Sequence, residues 1–298
     1  MSFDRVRSRL TSGRPLVTDA DTPACFRARG AAIDSPGAVG QLLRSRPDAV
    51  LEHYRAEVRS RVTILTALTA DTTPRALAEV GMEHRSALLT GIAVELALEA
   101  AHAADRPVAV AGVLGSEMVA ALQPKRMSEE LSEHAQRIAA AGVELILARG
   151  QGSRLELMAA VAAAAETELP TWASVECLPG GVLAHGGRLS ELCADLIEAG
   201  ASALLFEVSS IDDALLLLQQ CRDVGSALAP GVLLSAGPDS VRGFPSAEGD
   251  PVRWAARALE LDSGGARIIG GGAGSTEDYT RALMEELTAL HPSIPASR

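Results

Sequence analysis

Eight short apolar segments recur along the chain, each followed by a longer segment with helical spacing. The apolar segments lie at 15–19, 61–66, 107–113, 143–148, 170–176, 201–208, 231–236 and 266–271. Because they are apolar on both faces, they are typical of parallel strands covered on each side by helices. The intervening segments, such as RLSELCADLIEAG at 188–200, show helical periodicity, and several end at glycine. Eight such units predict an α/β protein of the (β/α)₈ TIM-barrel class.

Two other architectures built from alternating strands and helices fit the sequence less well. An open dinucleotide-binding sheet would carry GxGxxG after its first strand, and the segment after 15–19 has no such motif. A solenoid would repeat a consensus, and none recurs here. We therefore expect one barrel domain over residues 1–298, with its core at about 15–290 and the N-terminal segment as a floor or an extra helix.

The composition limits the partners and the compartment of the protein. The 298 residues carry a formal net charge of −11, so there is no basic stripe to neutralise nucleic-acid phosphates. No apolar run reaches the roughly 18 residues of a membrane span. The four cysteines show no CxxC spacing, which favours free thiols in a reducing compartment. We expect a cytoplasmic protein that binds a small molecule rather than nucleic acid or a membrane, with a homo-oligomer or a partner-subunit role left open.

Candidate site residues follow from the rule that barrel chemistry lies where the strands end. The polar residues at or after these ends are Asp19, Asp21, Thr66, Thr69, Asp71, Ser116, Glu117, Arg149, Gln151, Glu176, Cys177, Glu207, Ser209, Ser210, Ser235 and Asp239. Glu176 and Glu207 fit an acid–base pair, or an ion-pair network with Arg149. Arg149 itself fits an anion clamp or a solvated arginine. His185 fits a general base or a surface histidine.

The segment GGGAGST at 270–276, after the last apolar run, has two interpretations. Its glycine amides could converge on a phosphate, and a helix beginning near Ser275 would add its positive end. Glycine also allows a tight turn with close strand–helix packing. The residues of the loop alone leave both interpretations open.

Four stretches of the chain carry family patterns in a fixed order. VTDADTPACFRARG (17–30) resembles LLDGAMGTELQRRG, and RPVAVAGVLGS (106–116) resembles PVLVAGSIGP. PTWASVE (170–176) is similar to PVWVSFT, and GARIIGGGAGST (265–276) is similar to GARIIGGCCGTT. These patterns are those of the homocysteine S-methyltransferase family, and the resemblance covers nearly the whole chain. It implies a barrel that transfers methyl groups to homocysteine bound on zinc.

The zinc ligands implied by this resemblance are where the chain departs from the family. The family's three cysteines fall at Val208, Gly272 and Ala273, none of which offers a lone pair to a metal. We therefore predict that the protein uses neither zinc nor another cofactor. Arg149 stands where the family's glutamate would hold the homocysteine amino group, so an attractive charge becomes a repulsive one.

These features predict a divergent, zinc-independent methyltransferase whose acceptor differs from zinc-bound homocysteine and whose methyl donor is unspecified. The predicted catalytic residues are Asp19, Glu176 and Glu207, and the predicted substrate-binding residues are Thr66, Arg149, Gly271 and Gly272. Two alternatives stay open. One is a non-catalytic partner or regulatory subunit that uses the barrel as a binding scaffold. The other is a lyase or isomerase of an anionic small molecule.

Overall fold

A computed structural model of the chain describes residues 14–31, 35–115, 122–150, 153–236 and 250–291, together with Leu10 and Ile33. Its eight parallel strands are β1 (Leu16–Val17), β2 (Ile64–Ala67), β3 (Ala109–Gly115), β4 (Leu145–Gly150), β5 (Thr171–Leu178), β6 (Ala201–Val208), β7 (Ala229–Leu234) and β8 (Ile268–Gly271). The helices are α1 (Thr22–Ala28), α2 (Pro36–Ser45), α3 (Pro47–Arg59), α4 (Pro74–Ala78), α5 (Ser86–His102), α6 (Pro124–Ala140), α7 (Arg154–Ala165), α8 (Leu189–Glu198), α9 (Ile211–Asp223), α10 (Pro251–Ser263) and α11 (Glu277–Leu290).

The strands close into a barrel in the order β1, β8, β7, β6, β5, β4, β3, β2. The junction between β1 and β2 is a single bridge between Thr18 and Ile64. It is supported by the Asp19 N–H, which donates to the Ile64 carbonyl at 3.2 Å. The predicted (β/α)₈ class is therefore confirmed, and the short first strand places Asp19 against the end of β2.

Apolar side chains fill the inside of the barrel. Trp172 is the largest of them and lies in a cluster with small residues such as Ala109, Ala111 and Ala203. The combination of one large ring with small neighbours lets a narrow interior be filled without a void. Leu10 packs against the same cluster.

The alternation of side chains along each strand decides which polar residues face the opening. Leu145 and Leu147 of β4 lie in the barrel interior, so Arg149, two residues further on, has the same direction. The same relation holds on β6 between Leu205, which is interior, and Glu207. The two side chains therefore meet above the apolar core, at the carboxyl ends of the strands.

A capping box and first-turn prolines mark the starts of several outer helices. α7 has a capping box, in which Ser153 Oγ accepts from the Glu156 N–H and the Glu156 carboxylate accepts from the Ser153 N–H. Proline occupies the first turn of α2, α3, α6 and α10, where its missing N–H costs nothing. The apolar faces of these helices pack on the strands. Within the described ranges, none of the helices combines the length and the apolar character needed to span a bilayer.

Candidate functional site

A cavity of about 1160 Å³ opens at the carboxyl ends of the strands, and we call it the mouth. Its lining includes Asp19, Asp21, Thr66, Leu147, Arg149, Glu207, Leu233, Gly271, Gly272 and Ala273. Ligand pockets are typically about 300–1,000 Å³. The mouth is therefore large enough to hold a small-molecule ligand.

Asp19 is the buried acid of the mouth. It is 3% exposed, and its Oδ2 accepts hydrogen bonds from the Thr66 N–H at 2.8 Å and the Thr66 hydroxyl at 3.0 Å. Its Oδ1 has no hydrogen-bond partner among the described residues. Burial raises the pKa of Asp19 to about 7, against the lowering effect of the Thr66 bonds. The group can therefore exchange a proton near neutral pH, as an acid–base catalyst must.

An ion pair between β4 and β6 is the second polar group of the mouth. Arg149 donates to the Glu207 carboxylate through Nε at 3.3 Å and Nη2 at 3.0 Å. The Ser174 hydroxyl donates to the same carboxylate at 2.9 Å. Ser174 was not predicted, although it lies two residues beyond interior Trp172 on β5 and the alternation points to it. A ligand anion that enters the mouth meets a guanidinium whose charge is already paired.

Three residues near the fifth strand do not join the mouth. Glu176 stands in register with Glu207 on the adjacent strand but is not part of the cavity lining. Cys177 is buried, and burial raises the pKa of its thiol to about 12, so it is protonated at neutral pH. His185 is half-buried in the loop after β5, with Nδ1 at 2.9 Å from the Gly186 carbonyl, and is also outside the lining. The strand-end residues Ser116, Glu117, Gln151 and Asp239 lie outside the described residues.

The amides of the glycine loop are engaged within the protein. The Gly272 N–H donates to the Leu234 carbonyl at 2.8 Å, and the Ser275 N–H donates to the Gly272 carbonyl at 3.1 Å. The Gly274 N–H donates to Asp21 Oδ2 at 2.9 Å. A carboxylate of the chain thus occupies a position that an anionic ligand would need. These contacts favour the tight-turn interpretation of GGGAGST over a phosphate cradle.

The backbone around Gly272 leaves no room for a larger side chain. A Cβ atom there would lie 2.9 Å from the Leu233 carbonyl oxygen and 3.0 Å from the Ser235 nitrogen. The next residue is fixed as well, because the Ala273 carbonyl accepts from the Ala236 N–H at 2.9 Å. Val208, at the end of β6, is buried. The loop is therefore packed closely around Gly272 and Ala273.

One group of three potential metal ligands occurs in the described part of the chain, and it lies outside the cavity lining. The donor atoms of Cys25, His53 and Glu57 are within 4.8 Å of one another, and all three residues are buried. Cys25 comes from α1, whereas His53 and Glu57 are four residues apart on α3. Glu57 was not predicted. Its signal is this spacing of two polar residues along the buried face of an amphipathic helix.

Comparison with known proteins extends these observations. The family model for homocysteine S-methyltransferase matches residues 19–287. The metallated form of the homocysteine methyltransferase MmuM from Escherichia coli has a TM-score of 0.81 and 20% identity, covering 94% of this chain and 99% of that one. Its apo form has a TM-score of 0.74 and 20% identity, with 94% and 98% covered. The carboxyl transferase domain of Rhizobium etli pyruvate carboxylase has a TM-score of 0.56 and 13% identity, with 90% and 41% covered. No curated protein sequence matches the chain.

Proposed function

Because the chain belongs to the homocysteine S-methyltransferase family, we propose that it is a methyltransferase that works without zinc on an acceptor other than zinc-bound homocysteine. The observation that carries this proposal is the packing at Gly272. A cysteine there would press its Cβ against the main chain of β7, so the loop is built without a thiolate at that position. Val208 and Ala273 likewise have no donor atoms, and a zinc site of the family type needs three thiolates.

Asp19 supplies the acid–base chemistry that zinc would otherwise perform on the acceptor. A free thiol has a pKa near 8.5 and reacts as its thiolate. With a pKa of about 7, the Asp19 carboxylate can take the proton of a thiol or another weakly acidic acceptor within the mouth. The lone pair freed on the acceptor attacks the methyl carbon of an activated donor. The donor's bond to that methyl group breaks, and its electrons leave with the demethylated product.

The residues around Asp19 have distinct roles in this scheme. Thr66 fixes the Asp19 carboxylate with two hydrogen bonds and thereby orients its unpartnered oxygen. Arg149, held by Glu207, supplies a positive group on the other strands of the mouth for an anionic part of the substrate. Gly271 and Gly272 form a close wall without side chains. Glu176 does not line the mouth and has no role in this scheme.

A second candidate function is a non-catalytic binding scaffold. It is favoured by the internal pairing of two groups that were predicted to bind ligand. Glu207 neutralises Arg149, and Asp21 occupies the Gly274 amide. Under this proposal the barrel binds a small molecule or a partner chain without transferring a methyl group.

One experiment separates the two candidates. The protein is treated exhaustively with a chelator and incubated with S-methylmethionine carrying a ¹³C-methyl group and a panel of thiol, amine and carboxylate acceptors. Methyl transfer detected by NMR should persist in the chelated protein. Transfer that requires added zinc would contradict zinc independence. Absence of transfer, together with thermal stabilisation by members of the same panel, would support the scaffold.

A further inference from the structure

A second buried acid, Glu57, lies behind Asp19 and outside the lining of the mouth. Glu57 Oε1 accepts a hydrogen bond from the Ala20 N–H at 3.3 Å, and Ala20 directly follows Asp19 in the chain. The exposed fraction is 0% for Glu57 and 3% for Asp19. The turn that carries the acid of the mouth is therefore tied to α3 through this second carboxyl group.

Neither acid has an ion-pair partner in the part of the chain that the structure describes. Asp19 Oδ1 and Glu57 Oε2 also lack hydrogen-bond partners there. Arg29, the arginine of this region, binds Glu277 and the ring of His53 instead. A buried carboxylate without a cation or enough donors is strongly destabilised, and such a group becomes protonated. At least one of the two acids must therefore carry a proton.

The groups around Glu57 raise its affinity for a proton further. The groups that face the two acids are Thr66 on β2, Cys25 on α1, His53 and Tyr54 on α3, and Glu277 and Thr280 on α11. Burial raises the pKa of the Cys25 thiol and the Tyr54 hydroxyl and lowers the pKa of His53 to about 3, so all three are neutral at pH 7. Burial, and then the charges of Asp19 and Glu277, raise the pKa of Glu57 to about 8.

The hydrogen-bond direction at His53 disfavours a metal ion at the group formed by Cys25, His53 and Glu57. An arginine can only donate, so Arg29 Nη1, at 3.3 Å, makes His53 Nδ1 an acceptor and leaves the hydrogen on Nε2. A histidine that binds a metal has the reverse arrangement, because its second nitrogen donates to a neighbouring acceptor. The spacing of Cys25, His53 and Glu57 suits a metal, but their hydrogen bonding does not.

We propose that Glu57 is the proton-holding partner of Asp19, so that Asp19 ionises before Glu57 and its negative charge forms while Glu57 still carries a proton. Two hydrogen bonds of 2.8 and 3.0 Å from Thr66 stabilise the charge on Asp19. Glu57 has the Ala20 amide at 3.3 Å, the weakly donating Cys25 thiol at 3.9 Å and the Thr280 hydroxyl nearby. Asp19 therefore ionises first, and its charge opposes ionisation of Glu57. Glu57 is a positioning residue that acts through Asp19. Its role in methyl transfer rests on the proposed function, whereas the shared proton does not.

The test is a ¹³C NMR titration of the side-chain carboxyl carbons in the full-length protein, with Asp19→Asn and Glu57→Gln used for assignment. In the wild type, Asp19 should titrate near pH 7 and Glu57 near pH 8. Asp19→Asn should lower the Glu57 midpoint by about one pH unit, because a like charge is removed. Asp21→Asn, the same change two residues away, should leave the Glu57 midpoint in place.

Three results would overturn the proposal. One is a Glu57 midpoint that is the same in the wild type and in Asp19→Asn, or that lies near the ordinary value of about 4.3. The second is a single titration step for the Asp19 resonance of the wild type, because a coupled partner should give that resonance two steps. This result can be read even if Asp19→Asn fails to fold. The third is one equivalent of bound transition metal that is lost in Cys25→Ser and kept in Cys193→Ser. The titration needs no substrate, so it tests the shared proton even if the protein shows no methyl transfer.

Discussion

The β8 side and the β1 side of the mouth differ in how their polar groups are satisfied. On the β8 side, the amides of Gly272, Gly274 and Ser275 all donate to acceptors of the protein. On the β1 side, Asp19 of the lining and Glu57 behind it each keep one oxygen without a hydrogen-bond partner in the described structure. Buried polar groups are normally paired, and unpaired ones with displaced pKa values mark functional positions. These contacts favour a structural role for the glycine loop, and they are the reason that we propose the acid side as the place of the chemistry.

Removal of the Asp19 carboxylate should have the largest effect. Asp19→Asn keeps the size of the side chain but cannot take a proton, so methyl transfer should fall by about 100- to 10,000-fold. Single-turnover NMR of a ¹³C-methyl donor measures the change. Asp105→Asn, an equal substitution at an exposed position outside the mouth, is the matched control. Equal rates in the wild type and Asp19→Asn would remove the acid side from the chemistry.

The pH dependence of stability gives the next largest effect. The folded-state pKa of Asp19 is raised, so its contribution to stability is fully present below the unfolded pKa and is lost as the pH rises through 7. A shift from 3.8 to about 7 corresponds to about 4 kcal/mol at most. Urea unfolding of Asp19→Asn should show a correspondingly smaller loss of stability between about pH 4 and about pH 8. Parallel profiles for variant and wild type would contradict the raised pKa.

A cysteine at Gly272 tests the β8 side. The added Cβ would meet the main chain of β7, so Gly272→Cys should lower the free energy of unfolding by about 1–3 kcal/mol. Ala273→Cys adds only a sulfur to an existing Cβ and is the control. Both are compared by urea unfolding. A Gly272→Cys protein as stable as the wild type would show that the loop can still accept a thiolate.

The smallest effect is expected at the ion pair of the mouth. Ser174→Ala removes a hydrogen bond to Glu207 and should cost about 0.5–1.5 kcal/mol. Ser263→Ala removes an exposed hydrogen bond on α10 and should cost less. If both substitutions have the same effect, the network around Glu207 is not a buried element of the mouth.

The barrel follows from the sequence because its signal is repeated and local. Each apolar run lies within a few residues of an observed strand, and residues two apart on one strand share a face, so Arg149 and Glu207 meet as expected. The acid pair does not follow in the same way. Asp19 was predicted from its strand end, whereas Glu57 reaches it from α3 through the main chain of Ala20. That contact depends on how a helix packs on a strand, which local periodicity does not specify.

The roles of the glycines could be anticipated only in part. A glycine-rich turn allows either close packing or convergent amides, and the choice depends on which acceptors the fold brings near. Here Asp21, which is distant in sequence, accepts a hydrogen bond from the Gly274 N–H. The Leu234 carbonyl of the adjacent strand accepts from the Gly272 N–H. The sequence alone does not contain that information.

Zinc content is the measurement that tests this account of the mouth most directly. The wild type and Cys25→Ser are equilibrated with zinc, desalted and analysed by mass spectrometry. We expect no stoichiometric zinc in either protein, because Val208, Gly272 and Ala273 offer no ligands and the hydrogen bond from Arg29 to His53 Nδ1 disfavours a metal at Cys25, His53 and Glu57. One tightly bound zinc per chain in both proteins would place a metal outside the Cys25 group and contradict a zinc-independent mouth.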